Sequence, residues 1–394
     1  MTELSGNVLV MQFGGMSAVS NVGLNALINS VLNYDNVDDV LGCIDGMYGL
    51  LSGEFIDLAS QSQKNIQSLM HTPGAALGGR VADYSDEEYA HAAEILKMSE
   101  IKFLFVLGDE GSAEFCVKLE EAIGTLGYEL RLILIPFSSC NTFPLTDHCL
   151  GYGSAAKYIA TLFNNVVLTS RSQHGTGVVT IVELSGCSDL WLLGSAALAR
   201  KRYDSQGAPH IILANVFDEQ VFINKLQKTI RANGECVIAV GDNLANRAGE
   251  YIASGISTGE YVKRVVQNNF ELDVDLIQLS DWKYFAGVIL SMTDVEEITA
   301  CAQRAAKMAI EGMVSGKMII LLRTEGAKYT SEISCVDIAN TVGKKKEFPE
   351  GWYNSEEEDV DVSFFKYAAP LILGEHVANY ESGIPTYAKL RQLR

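Results

Sequence analysis

Apolar and helical patterns alternate almost from end to end of the chain. Short, near-continuous apolar runs predict strands at Val8–Phe13, Lys102–Leu107, Arg131–Ile135, Val178–Leu184, His210–Ala214, Cys236–Val240, Leu272–Ile277 and Met318–Leu322. Runs this apolar imply sheets buried on both faces, as parallel sheets are. Between them, a period near 3.6 predicts helices at Asn21–Leu32, Asp86–Lys97, Ser112–Leu126, Ser154–Asn164, Asp189–Arg200, Glu219–Arg231 and Asp294–Ile310. Asp86 followed by Glu88, and Ser112 ahead of an apolar-periodic run, are sensible helix starts. Alternation of this kind argues for an α/β fold with mainly parallel sheets. No tandem repeat or low-complexity tract interrupts it.

One stretch departs from the pattern. Lys344-Lys345-Lys346 leads into a segment holding Glu356-Glu357-Glu358-Asp359, which reads as a solvated surface excursion up to Asp361.

Composition narrows the picture. The chain has 394 residues, enough for two or three domains, and 48% hydrophobic content, enough for substantial cores. No apolar run approaches the roughly 20 residues that cross a bilayer. The N-terminus lacks a basic n-region, so no secretory signal is expected. A formal net charge of −19 argues against nucleic acid as a partner. The eight cysteines include no C-x-x-C pair and sit in apolar stretches. They read as buried free thiols in a reducing cytoplasm.

Candidate chemistry begins where the first strand runs into Gly14-Gly15-Met16-Ser17-Ala18-Val19-Ser20-Asn21. Paired glycines at a strand's end, before a helix, let backbone amides approach a phosphate closely. Many such turns are purely structural, so the signal is weak alone. It gains weight from motifs that follow in order. Gly14–Asn21 resembles the G-G-P-T-A-V-I-N turn of pyrophosphate-dependent phosphofructokinases. Gly46–Gly53 resembles their G-x-x-G-L-L segment, and Thr72–Arg80 their T-P-G-A-A-L-G-S-x-R stretch. Thr146-Asp147-His148-Cys149-Leu150-Gly151-Tyr152-Gly153-Ser154 and the following Ala155–Ala160 are similar to T-D-H-x-P-G-F/Y-G-S-A-A-K-Y-I-A. Thr293–Glu297 and Pro370–Glu375 match later landmarks.

The resemblance implies two Rossmann-like lobes. The larger, donor-side lobe is expected from residues 1–152 with 293–320. The sugar-phosphate lobe is expected from 153–292 with 321–394. The reaction implied moves a phosphoryl group to fructose 6-phosphate, which calls for a base, a metal and cations.

Several catalytic positions depart from the family. Its P-K-T-I-D-N-D loop reads here Pro136-Phe137-Ser138-Ser139-Cys140-Asn141-Thr142. The resemblance thus places Phe137 at the pyrophosphate-contacting lysine, Cys140 at the general base and Thr142 at the second aspartate. The metal and phosphate loop reads Gly108-Asp109-Glu110-Gly111-Ser112, with Asp109 at a glycine and Glu110 at a metal-binding position. On the sugar-phosphate side, Ser185-Gly186-Cys187 lacks the family's arginine. Asn215 stands where a glutamate contacts the sugar, and Lys283-Tyr284 stands near the 6-phosphate. Gly14, Gly15, Ser17, Arg80, Gly108, Gly111 and Ser112 remain as phosphate-binding candidates, with Asn141, Asp147 and Lys157 also kept.

The resemblance with these losses implies a phosphofructokinase-like pseudoenzyme. Such a subunit would be structural or regulatory, cytoplasmic, assembled as a homo- or hetero-oligomer with a catalytic phosphofructokinase, and without a cofactor of its own. Magnesium is expected only if activity or binding survives. Two alternatives stay open. One is an active pyrophosphate- or ATP-dependent 6-phosphofructokinase in which Glu110 or Asp109 replaces the base. The other is a sensor of a phosphorylated metabolite, with Arg80 and Lys283 as its cations.

Overall fold

A computed structural model describes residues 4–14, 17–174, 178–185, 190–200, 207–280, 282–312, 314–326 and 328–390. The chain clusters into two compact units. The first holds residues 1–154, 286–346 and 374–394, the second residues 155–285 and 347–373.

In chain order the first unit opens with β1 (Gly6–Phe13), α1 (Ser20–Val31), β2 (Val37–Cys43), α2 (Met47–Ser52), β3 (Phe55–Asp57) and α3 (Gln63–Ser68). It continues with α4 (Asp86–Met98), β4 (Ile101–Gly108), α5 (Glu110–Thr125) and β5 (Arg131–Pro136). Helix α6 (Tyr152–His174) leads into the second unit. That unit contains β6 (Val178–Leu184), α7 (Leu190–Leu193), β7 (Ile211–Leu213), α8 (Glu219–Asn233), β8 (Cys236–Gly241), α9 (Thr258–Asn269), β9 (Asp273–Leu279) and α10 (Trp282–Phe285). The chain then returns through β10 (Leu290–Ser291), α11 (Met292–Ile310), β11 (Lys317–Arg323) and β12 (Ser331–Asp337), and α12 (Val362–Ala368) lies in the second unit.

The first unit is built on a seven-stranded sheet in the order β12-β11-β5-β4-β1-β2-β3. Its centre is parallel, and β12 and β3 pair antiparallel at the edges. Alternation along β1 makes the two faces. Val8 and Val10 enter the core shared with α1 and α11, while Leu9, Met11 and Phe13 enter the core shared with α4 and α5. Each such fully buried side chain contributes about 1.5–3 kcal/mol. Helix α4 starts on a complete capping box: Ser85 accepts from the Glu88 amide, and Glu88 accepts from the Ser85 amide.

The second unit carries a four-stranded parallel sheet, β7-β8-β6-β9. Within it, the expected helix Asp189–Arg200 is only one α-turn, Leu190–Leu193, followed by 3₁₀ structure over Gly194–Ala199. Gly194 there meets Val360 and Phe364 closely. Asp189 lies outside the described residues.

The stretch after Lys344 is not the solvated excursion its charges suggest. Phe348 and Trp352 pack edge-on to Trp191 with ring centroids 5.0 and 6.1 Å away, and Tyr367 joins them. The Arg200 guanidinium pairs with Asp359 at 2.5 Å, and the Ile212 amide donates to the Glu358 carbonyl at 2.8 Å. Aromatic residues interleaved among the charges anchor the segment to the β7 edge.

Candidate functional site

The loops that follow β1, β4 and β5 meet in the first unit. After β1, Gly14 turns with φ +87°, and its amide donates to the Gly79 carbonyl at 3.1 Å. Two side chains clamp the 72–79 loop beside this turn. Asn21 donates to the Thr72 carbonyl at 2.7 Å and accepts from the Ala76 amide at 2.9 Å. Gln12 accepts from the Leu77 amide at 2.9 Å. The Gly14–Asn21 and Thr72–Arg80 motifs are therefore one structure. Ser17 is buried, with its carbonyl accepting from Gly74. Arg80 is exposed, its guanidinium 5.0 Å from the Tyr48 ring centroid. Gly15 lies outside the described residues.

After β4, Asp109 caps α5 by accepting from the Gly111 amide at 3.2 Å. Its carboxylate lies against Gly14, where a Cβ would collide with it. A phosphate cradled on the Gly14 turn would meet that negative charge. Gly108 lies against Ser112, whose hydroxyl donates to the Asp109 carbonyl.

After β5, Phe137 does not face a ligand. It is 4% exposed and belongs to the α1–α11 core, with its ring against Gly23 of α1. Thr142 donates to Glu110 and lies 3.0 Å from the Ser138 hydroxyl. Burial raises the Glu110 carboxyl above the ordinary carboxylate range, and neighbouring Asp109 adds to this, against hydrogen bonding from its backbone and Ser138 and the charge of Lys345. Cys140 is half-buried. Asn141 holds φ +59° and accepts from the Cys149 amide at 2.9 Å, so its amide shapes the loop.

Two residues at this loop were not expected from the sequence. The Lys346 amide donates to the Thr142 carbonyl at 2.8 Å, and its ammonium donates to the Asp147 carbonyl and toward Asn141 at 3.5 Å. Burial pulls Lys346 down to about 8. Ser138, 3.0 Å from the Thr142 hydroxyl, is the other. Nothing local in the sequence ties residue 346 to residue 142.

A polar chain backs the loop. His148 is 1% exposed and bonds Asp147 at 2.9 Å through Nδ1 and Glu297 of α11 at 2.8 Å through Nε2. Arg323 reaches Asp147 at 3.1 Å, and Tyr329 and Ser331 donate to Glu297 at 2.5 and 2.6 Å. Burial opposes charge on Asp147, but His148 and Arg323 hold its carboxyl down at about 2. His148 is raised, because its two carboxylate partners outweigh burial.

In the second unit, the Trp282 indole donates to the Ser185 carbonyl at 3.3 Å, which brings α10 to the end of β6. Lys283 lies over the Trp282 ring at 5.8 Å, and Tyr284 is 65% exposed. Asn215 sits on a separate turn after β7, with φ +60°, its carbonyl accepting from Ala245. Cys187 lies outside the described residues.

The signature of the family described as phosphofructokinase matches residues 7–309. The chain belongs to the phosphofructokinase family. A pyrophosphate–fructose 6-phosphate 1-phosphotransferase of Methylococcus capsulatus is 27% identical over 98% of this chain and 96% of its own length. One from Halomonas elongata is 26% identical over 98% and 97%. The crystal structure of a pyrophosphate-dependent phosphofructokinase from Nitrosospira multiformis matches with TM-score 0.90 at 26% identity, covering 98% of this chain and 97% of that one. The two-lobed α/β expectation is thus that of the family.

Among the described residues, no group of three or more His, Cys, Asp or Glu converges as a metal cage. Asp109 is engaged with Gly111, and Glu110 with Thr142. The Glu110 carboxylate, which the resemblance offers to a metal, here accepts from Thr142. No helix among the described residues is long and apolar enough to cross a membrane.

Proposed function

We propose that this phosphofructokinase is an active, pyrophosphate-using phosphotransferase in which Glu110 takes over the work of the missing aspartate. The observation that carries the reading is the Glu110 carboxyl itself. It is bonded to Thr142, next to Ser138, and burial lifts it toward neutrality. A carboxyl with a raised pKa is the stronger base once ionised. Full-length similarity to relatives named for the pyrophosphate-dependent reaction supports the same reading.

In this scheme the sugar hydroxyl gives its proton to a Glu110 oxygen as its own oxygen bonds to the terminal phosphorus. The bond from that phosphorus to the bridging oxygen breaks, and phosphate leaves. Thr142 orients the carboxyl, and the N-terminus of α5 faces the developing charge. Magnesium enters as part of the phosphate donor.

The test is turnover of fructose 6-phosphate with magnesium pyrophosphate. Glu110→Gln is expected to lower kcat about 10²–10⁴-fold with the fold intact. The wild-type acid limb is expected above the ordinary carboxylate range. Absence of wild-type turnover sinks the reading.

A second reading, a non-catalytic subunit that assembles with an active relative, is favoured by the Asp109 carboxylate lying over Gly14 and by the burial of Phe137. Light scattering with and without an intact relative from the same source separates it. A silent chain that shifts the relative's mass or kinetics supports this second reading.

A further inference from the structure

We infer that the second unit carries a separate binding site for a small phosphate ester on one face of α8, where Lys225 and Lys228 receive the phosphate. A cavity of about 400 Å³ opens between α8, His210 just ahead of β7, and the turn that carries Glu357. All of these residues belong to the second unit. The volume is that of a small-ligand pocket. Asn215, the expected sugar contact, follows the other end of β7 and does not line this cavity.

Helix spacing builds the wall. Residues three apart are neighbours on a helix surface, so Lys225 and Lys228 stand together on the cavity. Phe222 and Leu226 of the same helix are sealed in the core of the unit, which holds the lysine face in place. His210 is 4% exposed, and its Nδ1 accepts from the Val237 amide at 2.9 Å, so the ring is a fixed part of the lining. A chain of net charge −19 repels anions overall, and a phosphate therefore needs local cations such as these.

The group already on the lysines indicates what they select. The Lys225 ammonium lies 2.8 Å from the Glu357 carboxylate, and Lys225 first, then the charge of Lys228, hold that carboxyl below its ordinary range. Glu357 thus stands in for an oxyanion. An ion pair as exposed as this one is weakly held. A phosphate ester carries about −1.5 to −2 charges at pH 7 and three acceptor oxygens, against the single charge of a carboxylate. It can therefore displace Glu357 from two ammoniums, each of which binds phosphate as a point charge. Asn224 and Asn233 offer side-chain amides to the rest of the ester.

The experiment is calorimetric titration of the full chain with glycerol 3-phosphate, and with inorganic phosphate alongside. Loss of a charged hydrogen bond weakens binding roughly 10–100-fold, and Lys228→Ala is expected to raise Kd by that factor. Glu357→Gln, which removes the competing carboxylate, should lower Kd about two- to fivefold. Lys366→Ala, at an exposed lysine of α12 outside the cavity, should keep the wild-type value. Circular dichroism confirms each fold. Wild-type affinity in Lys228→Ala overturns the inference, as does an absence of binding by the wild-type chain. Unchanged or weaker binding by Glu357→Gln also overturns it, because the carboxylate would then not occupy the phosphate's place. Equal losses in Lys366→Ala and Lys228→Ala overturn it as well, since that pattern reports general charge. Tighter binding of glycerol 3-phosphate than of inorganic phosphate supports an ester as the ligand, and equal affinities assign the site to free phosphate and overturn the ester. The proposed reaction stands or falls apart from these outcomes, because Lys228 and Glu357 take no part in it.

Discussion

The turn at 146–154 and the loop at 137–142 are neighbours in sequence and have opposite characters. The turn matches the family motif almost residue for residue, and its polar side chains are all at work inside the protein. Thr146 accepts from the Leu321 amide at 3.0 Å, and Asp147 donates its amide to the Leu321 carbonyl at 2.8 Å, which fixes the turn to β11. Asp294 of α11 accepts from the Gly151 and Ser154 amides at 2.9 and 3.0 Å. The loop, in contrast, holds Phe137, Cys140 and Thr142 where the resemblance expects charged residues, with Phe137 packed in the core. The strongest sequence match therefore reports scaffold. The proposed chemistry depends on the weaker match, where Phe137 is part of a core and the Glu110 carboxyl accepts from Thr142.

The largest expected effect lies in the turn. His148→Ala leaves Asp147 and Glu297 facing each other without their shared partner, and should cost about 3–5 kcal/mol. The pH dependence has a definite sign. His148 is raised in the folded state, so its contribution is full below the unfolded value of about 6.5 and is lost as pH rises through the folded value. Asp147 is depressed, so its contribution is present above about 3.9 and is lost as pH falls toward about 2. Urea melts of the wild type should peak between those limits, and His148→Ala should remove the alkaline decline. A flat wild-type profile above pH 6.5 would show that the turn is not held by charge.

The next effect sharpens the comparison from the loop. Phe137→Lys, the residue the resemblance expects there, should destabilise by about 2–3 kcal/mol, since the stem replaces part of the ring but the ammonium must reach water. It should not improve pyrophosphate binding, because the position faces α1. A gain in affinity with no loss of stability would mean that the loop re-forms around a lysine.

Much of the fold was legible because the central strands are buried on both faces. β1, β4, β5, β6 and β8 read as apolar runs. β2, with Asp38 and Asp39 exposed, and β12, a half-exposed edge, carry no such signature and escaped notice. α9 escaped notice too, although Ser257 accepts from the Glu260 amide as its cap. In the site, the glycine turn and Glu110 were visible. The contact between Lys346 and Thr142 was not, because it depends on a return of the chain that no local period encodes. The charge run after Lys344 points to a solvated face, whereas Phe348 and Trp352 within it anchor the segment against Trp191.

The smallest effect tests Asp109, the residue on which the two functional readings divide. Its carboxylate caps α5 and interacts favourably with the positive end of that helix, a benefit of about 0.3–1 kcal/mol. Glycine is itself a tolerable cap, so Asp109→Gly should cost only a few tenths of a kcal/mol in capping, plus part of that dipole benefit. Against this small loss stands the removal of a negative charge from above the Gly14 turn. A partly exposed charge acting on a phosphate through water is worth roughly 1–2 kcal/mol once the Coulomb energy is moderated by solvent and salt. Asp109→Gly should therefore bind magnesium pyrophosphate about tenfold more tightly while its melting temperature falls slightly. The gain should shrink as salt is raised, because the effect is one of field and not of contact. A tenfold gain at low salt assigns Asp109 the role of a brake on an otherwise competent donor site. An unchanged Kd would mean that the phosphate does not approach Gly14, and that the chain has given up the family's donor position while keeping its helix cap.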